Sequence, residues 1–139
     1  MNRKELSEYI AGVYGTDGDS PWRDPDTVVY RHPENGKWFA LAMADIPLEK
    51  FGQSGFSGEG EVADVVNLKC DPIAIGSVIS ENRGVYPAYH MNKQHWISVL
   101  LDSSRVRGAD NEVLKMLLDV SFDLTFSLPR KKTEKMRGL

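Results

Sequence analysis

The chain has a single cysteine, Cys70, which excludes an internal disulfide framework and leaves packing to hold the fold. No stretch approaches the roughly 18 to 20 consecutive apolar residues of a membrane span. The opening Met1-Asn2-Arg3-Lys4-Glu5-Leu6 also lacks the apolar run of a signal peptide. These absences give the expectation of a cytoplasmic protein with no membrane partner. No internal repeat and no second hydrophobic domain are visible either.

Catalytic signatures are equally scarce. The glycine-rich stretch Gly52-Gln53-Ser54-Gly55-Phe56-Ser57-Gly58-Glu59-Gly60 has no Gly-Lys-Ser/Thr opening a helix, and it runs through acidic Glu59 and Glu61 into a strand. It reads as a flexible loop and not as a phosphate cradle. Cys70, His90 and His95 do not form the paired Cys/His motifs of a structural zinc site, so ordinary hydrogen-bonded histidines and a packed thiol are expected. No Gly-x-Ser-x-Gly or comparable nucleophile motif occurs. The expectation is therefore no catalysis, no metal and no cofactor.

What is present is the composition of an ordinary globule: 139 residues, 41% hydrophobic and 27% charged. A chain of this length buries about two-thirds of its unfolded surface and makes one domain. Net charge is −3, but it is unevenly spread. Residues 1–64 carry 6 Lys/Arg against 12 Asp/Glu, whereas residues 127–139 carry 5 against 1. An acidic globule gains no long-range attraction to DNA, so a nucleic-acid site would have to be a local patch.

Asn2 and Glu5 form a capping-box pattern ahead of Leu6, Tyr9, Ile10 and Val13 at helical spacing, with Gly15 as the stop. Val28 to His32 and Lys37 to Met43 flank Pro33-Glu34-Asn35-Gly36 and predict a β-hairpin. Pro47 to Glu61 reads as a mobile connection or irregular hairpin, followed by a strand from Val62 to Cys70. Asp71-Pro72 predicts the start of a second helix bearing Ile75, Val78 and Ile79 and ending at Gly84. Trp96 to Leu101 is a fourth strand, and Asp110 caps a last helix that Pro129 closes. The order α-β-β-β-α-β-α predicts an α+β two-layer sandwich, a mainly antiparallel sheet with helices on one face. Residues 1–129 form the domain, and 130–139 a basic tail that frays.

The most informative stretch runs from Arg83 to Trp96, where aromatic rings alternate with cationic and amide side chains. Lys93 and Arg83 could neutralise phosphates, Asn92 could donate to a phosphate or base edge, and Tyr86, Tyr89 or Trp96 could stack on bases. The competing reading has Trp96 and Tyr89 filling the core while Asn92 and His90 tie down a buried loop. Arg130, Lys131, Lys132, Lys135 and Arg137 either add positive charge to such a site or form a solubilising terminus.

Four segments, Gly36-Lys37-Trp38-Phe39-Ala40-Leu41, Asn67-Leu68-Lys69-Cys70-Asp71-Pro72, Tyr89-His90-Met91-Asn92-Lys93-Gln94-His95-Trp96 and Asp119-Val120-Ser121-Phe122-Asp123-Leu124, together resemble the MmcQ/YjbR family. The resemblance runs from about Thr27 to Leu124, and His-x-Asn-Lys-x-His-Trp is its most specific part. It implies a CyaY-like fold and a DNA-binding role through a double-wing-like surface. Carried over residue by residue, that role falls on His90, Asn92, Lys93, His95 and Trp96, with Lys37 and Lys69 as further motif cations. The family often has Ser-Tyr where this chain has Ser121-Phe122, so a hydroxyl is missing there. The expected partner is DNA, and the alternative is a protein partner or small ligand.

Overall fold

The structure is a computed structural model, described here for residues 1–52 and 61–126. The glycine-rich loop and the basic tail therefore lie outside the described residues.

Helix α1 spans Arg3–Tyr14. The Asn2 side chain accepts from the Glu5 N–H at 2.8 Å while the Glu5 carboxylate accepts from the Asn2 N–H at 2.9 Å, so two donors that a helix start leaves unpaired are satisfied reciprocally. Leu6 and Ile10, one turn apart, are its buried pair. Gly15 ends the helix at φ 69°, a left-handed conformation that glycine adopts without steric cost.

Strands β1 (Val28–Arg31) and β2 (Trp38–Pro47) make the expected hairpin, its turn closed by the Lys37 N–H donating to Asn35 Oδ1 at 2.8 Å. Tyr30 faces Ala40 but Arg31 faces Trp38, so Phe39 is an extra residue on β2. This bulge turns Phe39 and Ala40 to the same face and sends Trp38 to the other. A second irregularity at Asp45, φ 56°, carries β2 past the predicted end at Met43.

Strand β3 (Val62–Lys69) follows. Asp71 Oδ1 accepts from the Ile73 N–H, and the Asp71 carbonyl accepts from both Ala74 and Ile75. The resulting tight turn takes up Pro72 to Ala74, so helix α2 begins at Ile75, later than Asp71-Pro72 suggested, and ends at Glu81. Strand β4 (Val85–Pro87), absent from the sequence expectation, precedes β5 (Trp96–Leu100). Helix α3 (Asn111–Thr125) is capped as predicted, Asp110 Oδ1 accepting from Glu112 and Val113.

The sheet order is β1-β2-β3-β5-β4 with every neighbouring pair antiparallel. All three helices pack on one face of it. There Leu6, Ile10, Phe39, Leu68, Ile97, Leu114 and Leu118 are fully buried, and Ile75, Val78 and Ile79 of α2 pack against the cluster. Each such side chain contributes about 1.5–3 kcal/mol by leaving water. The α+β sandwich with helices on one face is therefore the observed fold.

Ser121 of α3 ties the layers together. Its hydroxyl donates to the Phe39 carbonyl at 2.6 Å and accepts from the Lys69 N–H at 2.9 Å, just past the last β2–β3 pair, Ala40 with Leu68. One turn on, the Thr125 hydroxyl donates to the Ser121 carbonyl at 2.7 Å and lies 2.8 Å from Nε2 of buried His32. The Asn35 amide also donates to the Thr125 carbonyl at 3.1 Å. The end of α3 is thus fastened to the β1–β2 turn.

The second face carries a smaller cluster, with Val29, Leu41, Met43, Val65 and Leu100 covered by Leu48 and Phe51 of the 3-10 turn Leu48–Phe51. Tyr86, Tyr89 and Met91 pack on it half-buried.

Candidate nucleic-acid interface

The loop between β4 and β5 is clamped to the second face by a polar cross-strand pair. Asn67 on β3 and Ser98 on β5 face each other and are fully buried. Ser98 Oγ donates to Asn67 Oδ1 at 2.6 Å and accepts from the Tyr89 N–H at 2.8 Å, while Asn67 Nδ2 donates to the Tyr89 carbonyl at 2.9 Å. Buried polar groups are tolerable only when bonded in this way, and here the bonding fixes where the loop leaves the sheet. His90 then adopts φ 63°, and its ring lies 3.9 Å from that of Tyr89, centroid to centroid.

Asn92 makes the loop's second turn. Its side-chain oxygen accepts from the Gln94 N–H at 2.7 Å, and its carbonyl accepts from His95 and Trp96 at 3.3 and 3.0 Å. The His95 carbonyl in turn accepts from the Cys70 N–H at 2.8 Å, joining the loop to the end of β3. The reading of Asn92 as a residue that ties the loop down fits this geometry; the reading of the loop as buried does not, because residues 92–95 are all exposed.

Apart from His90, exposed beside Tyr89, the sequence candidates separate into three groups. Lys37 ends the turn before β2, Lys69 ends β3, and Asn92, Lys93, His95 and Trp96 surround the start of β5, so all six sit at one end of the sheet. Tyr86 and Tyr89 instead turn into the second cluster, their rings 5.1 and 6.3 Å from Phe51, and burial pushes the Tyr86 phenol above its ordinary pKa. They are neither an exposed apolar patch nor fully buried. Arg83 lies at the opposite end of the sheet, where it donates to the carbonyls of Arg107 at 3.1 Å and Gly108 at 2.6 Å. There it fastens the loop before α3.

Three residues at the shared end were not picked from the sequence. Arg31 pairs with Trp38 across β1–β2, its guanidinium 5.9 Å from the ring centroid, and Trp22 meets Trp38 edge-on at 5.6 Å. Trp38 was visible in the Gly36–Leu41 motif, but only the bulge at Phe39 brings it to this face. The acidic side chains nearby are partly engaged: Asp19 pairs with Arg31 at 3.5 Å and Asp71 caps its own turn, while Glu34 lies in the β1–β2 turn.

Reactive groups elsewhere are subdued by packing. Cys70 is 2% exposed, and burial, with Asp71 nearby, raises its thiol pKa. Burial lowers the pKa of His32, which sits among Phe39, Phe122 and Phe126. The Phe122 ring at the departure from Ser-Tyr stacks on Tyr14 at 4.6 Å, so that position is an aromatic packing site. Among the described residues no three His, Cys, Asp or Glu side chains assemble as a metal site, and no helix is long and apolar enough to cross a membrane.

Fold and site together define a class: a small α+β sandwich whose sheet end, rimmed by loops, carries lysines, an arginine and tryptophans. Residues 11–124 match the YjbR family model. The chain belongs to the YjbR family. It is 36% identical over 126 residues to the uncharacterized protein YyaQ of Bacillus subtilis strain 168, which covers 90% of this chain and 98% of YyaQ. A crystal structure of a Pseudomonas syringae protein shares 43% identity and superposes with a TM-score of 0.77 over 90% of this chain and 99% of its own. A Deinococcus radiodurans protein at 23% identity shares the fold, with a TM-score of 0.60 over 88% of this chain and 77% of its own.

Proposed function

We propose that the chain is a non-catalytic DNA-binding protein that uses the sheet end between the β1–β2 turn and the loop of residues 88–95. The observation that carries this reading is convergence. Lys37, Lys69, Lys93 and His95 share that end, and α3 finishes beside it, with Thr125 held by His32 and Asn35. The sequence continues from there into Arg130, Lys131, Lys132, Lys135 and Arg137. In a chain with net charge −3, Lys37, Lys69 and Lys93 at one sheet end supply the kind of local patch that binding a polyanion requires. The β1–β2 turn and the loop of residues 88–95 border that patch.

The test is fluorescence anisotropy of labelled duplex and single-stranded DNA at two salt concentrations. The comparison sets the full-length protein beside Lys93→Ala and a full-length Lys131→Gln/Lys132→Gln variant. Affinity that falls with salt and with Lys93→Ala supports contact at the loop. Loss only in the tail variant moves the contact to a nonspecific terminus. No binding at low salt removes the DNA reading and leaves a protein partner or small ligand as the alternative.

A further inference from the structure

A row of alternating cations and rings crosses the sheet at this end. Arg31 on β1 pairs with Trp38 on β2, and Lys69 on β3 pairs with Trp96 on β5. The bulge at Phe39 brings the two pairs onto one face. Phe39 joins the helix-side cluster while Trp38 packs on the second cluster, and Lys69 and Trp96 alternate with Leu68 and Ile97, which are on the helix side. The row reads Arg31, Trp38, Lys69, Trp96 across four adjacent strands.

The row is left partly open. Trp38, Lys69 and Trp96 are half-buried, the Arg31 side chain is 37% exposed, and Trp22 beside Trp38 is 41% exposed. The turn Leu48–Phe51 that covers the second cluster lies toward the other end of the sheet, where Pro47 pairs with Val62. Duplex DNA hides its base faces inside the stack and offers phosphates and groove edges. A surface of rings interleaved with cations matches instead a strand whose bases are unstacked, each base lying on a ring while its phosphates meet the neighbouring charges. Trp38 and Trp96 are two strands apart, about 10 Å from the strand spacing. That leaves Lys69 between them for an intervening phosphate. Arg31 is shared with Asp19 at 3.5 Å and lies over the Trp38 ring at 5.9 Å, so a base on Trp38 with its phosphate on Arg31 would displace a surface ion pair worth little and move the guanidinium off the ring.

We infer that the DNA taken at this site is single-stranded, lying across β1, β2, β3 and β5 with bases on Trp38 and Trp96 and backbone on Arg31 and Lys69. This rests on the DNA reading above. The chain supplies its own reporter, because its only tryptophans are Trp22, Trp38 and Trp96, all at this end.

The experiment titrates the full-length protein with oligo(dT) and, separately, with a hairpin duplex of equal charge, following intrinsic tryptophan fluorescence and anisotropy together. The expected result is tighter binding of oligo(dT) with quenching, weakened roughly fivefold to a hundredfold by Trp96→Leu. Lys69→Gln, which leaves the ring packing in place, should reduce affinity for oligo(dT) and its salt dependence while the circular dichroism spectrum is unchanged. Equal or tighter duplex binding, without quenching and insensitive to Trp96→Leu, would overturn the single-strand assignment while Lys93-dependent, salt-sensitive binding preserved the DNA reading. Tighter binding of oligo(U) than oligo(dT) would overturn the assignment to DNA. Salt-insensitive or undetectable binding of both probes would overturn the reading and the inference together.

Discussion

The two faces of the sheet are finished in opposite ways. On the helix face, Leu6, Phe39, Leu68, Ile97, Leu114 and Leu118 are sealed under three helices, and the polar groups that enter, Ser121 and Thr125, are hydrogen-bonded to backbone carbonyls, to the Lys69 N–H and to His32. On the other face the apolar layer is thinner, a buried Asn67–Ser98 pair holds a loop in place, and the sheet end is left with half-buried tryptophans and cations. The difference separates tasks: the sealed face supplies stability, whereas the open one is where the proposed DNA contact falls. Variants that act on one face should leave the other's property largely intact.

The largest effect expected is on the sealed face. Leu118→Ala removes a fully buried side chain from the centre of the helix layer and should cost about 2–5 kcal/mol in denaturant unfolding. Ser121→Ala comes next. It strands the Lys69 N–H and deprives the Phe39 carbonyl of its donor, a loss of about 1–3 kcal/mol. If Ser121→Ala were neutral, the hydroxyl would not be what closes the β2–β3 ladder at that end.

His32 adds a pH dependence to the same face. Burial holds its pKa below the ordinary imidazole value of about 6.5. Above that value the ring is neutral in both the folded and unfolded chain and adds no slope. Below it the unfolded chain takes up the proton first, so stability falls as pH drops toward the folded-state pKa, by at most about 1.4 kcal/mol per pH unit. Unfolding curves at pH 7 and pH 5 should therefore diverge more for the native sequence than for His32→Gln. The smallest stability change belongs to the open face: Lys93→Ala, at an exposed loop position, should alter unfolding by under about 0.5 kcal/mol while weakening DNA binding.

What the sequence disclosed follows the same division. The capping box at Asn2 and Glu5 and the cap at Asp110 are local signals, and each is found where it was expected, whereas the apolar spacing of the last helix overreaches: Leu114, Leu117 and Leu118 are buried but Val120 and Leu124 are exposed. Strand β4 is only three residues long and ends in Pro87, so it has no period to detect and exists because β5 offers it a partner. The bridging role of Ser121 depends on a carbonyl 82 positions away and could not be read locally. At the site, Lys69, Lys93, His95 and Trp96 were legible as a motif, but Trp38 depended on the hidden bulge. Arg83 looked like its neighbours in sequence, yet the short β4 carries it to the far end, onto the carbonyls of Arg107 and Gly108.

The most direct test of the division between faces is a chemical-shift titration of the isotope-labelled, full-length protein with an oligo(dT) strand, read residue by residue. Shifts concentrated at Arg31, Trp38, Lys69, residues 92–96 and the indole N–H groups, with α1 and the region around Arg83 unmoved, are the predicted result. Shifts centred on Arg83, α1 or α2, with the tryptophan indoles unchanged, would contradict it.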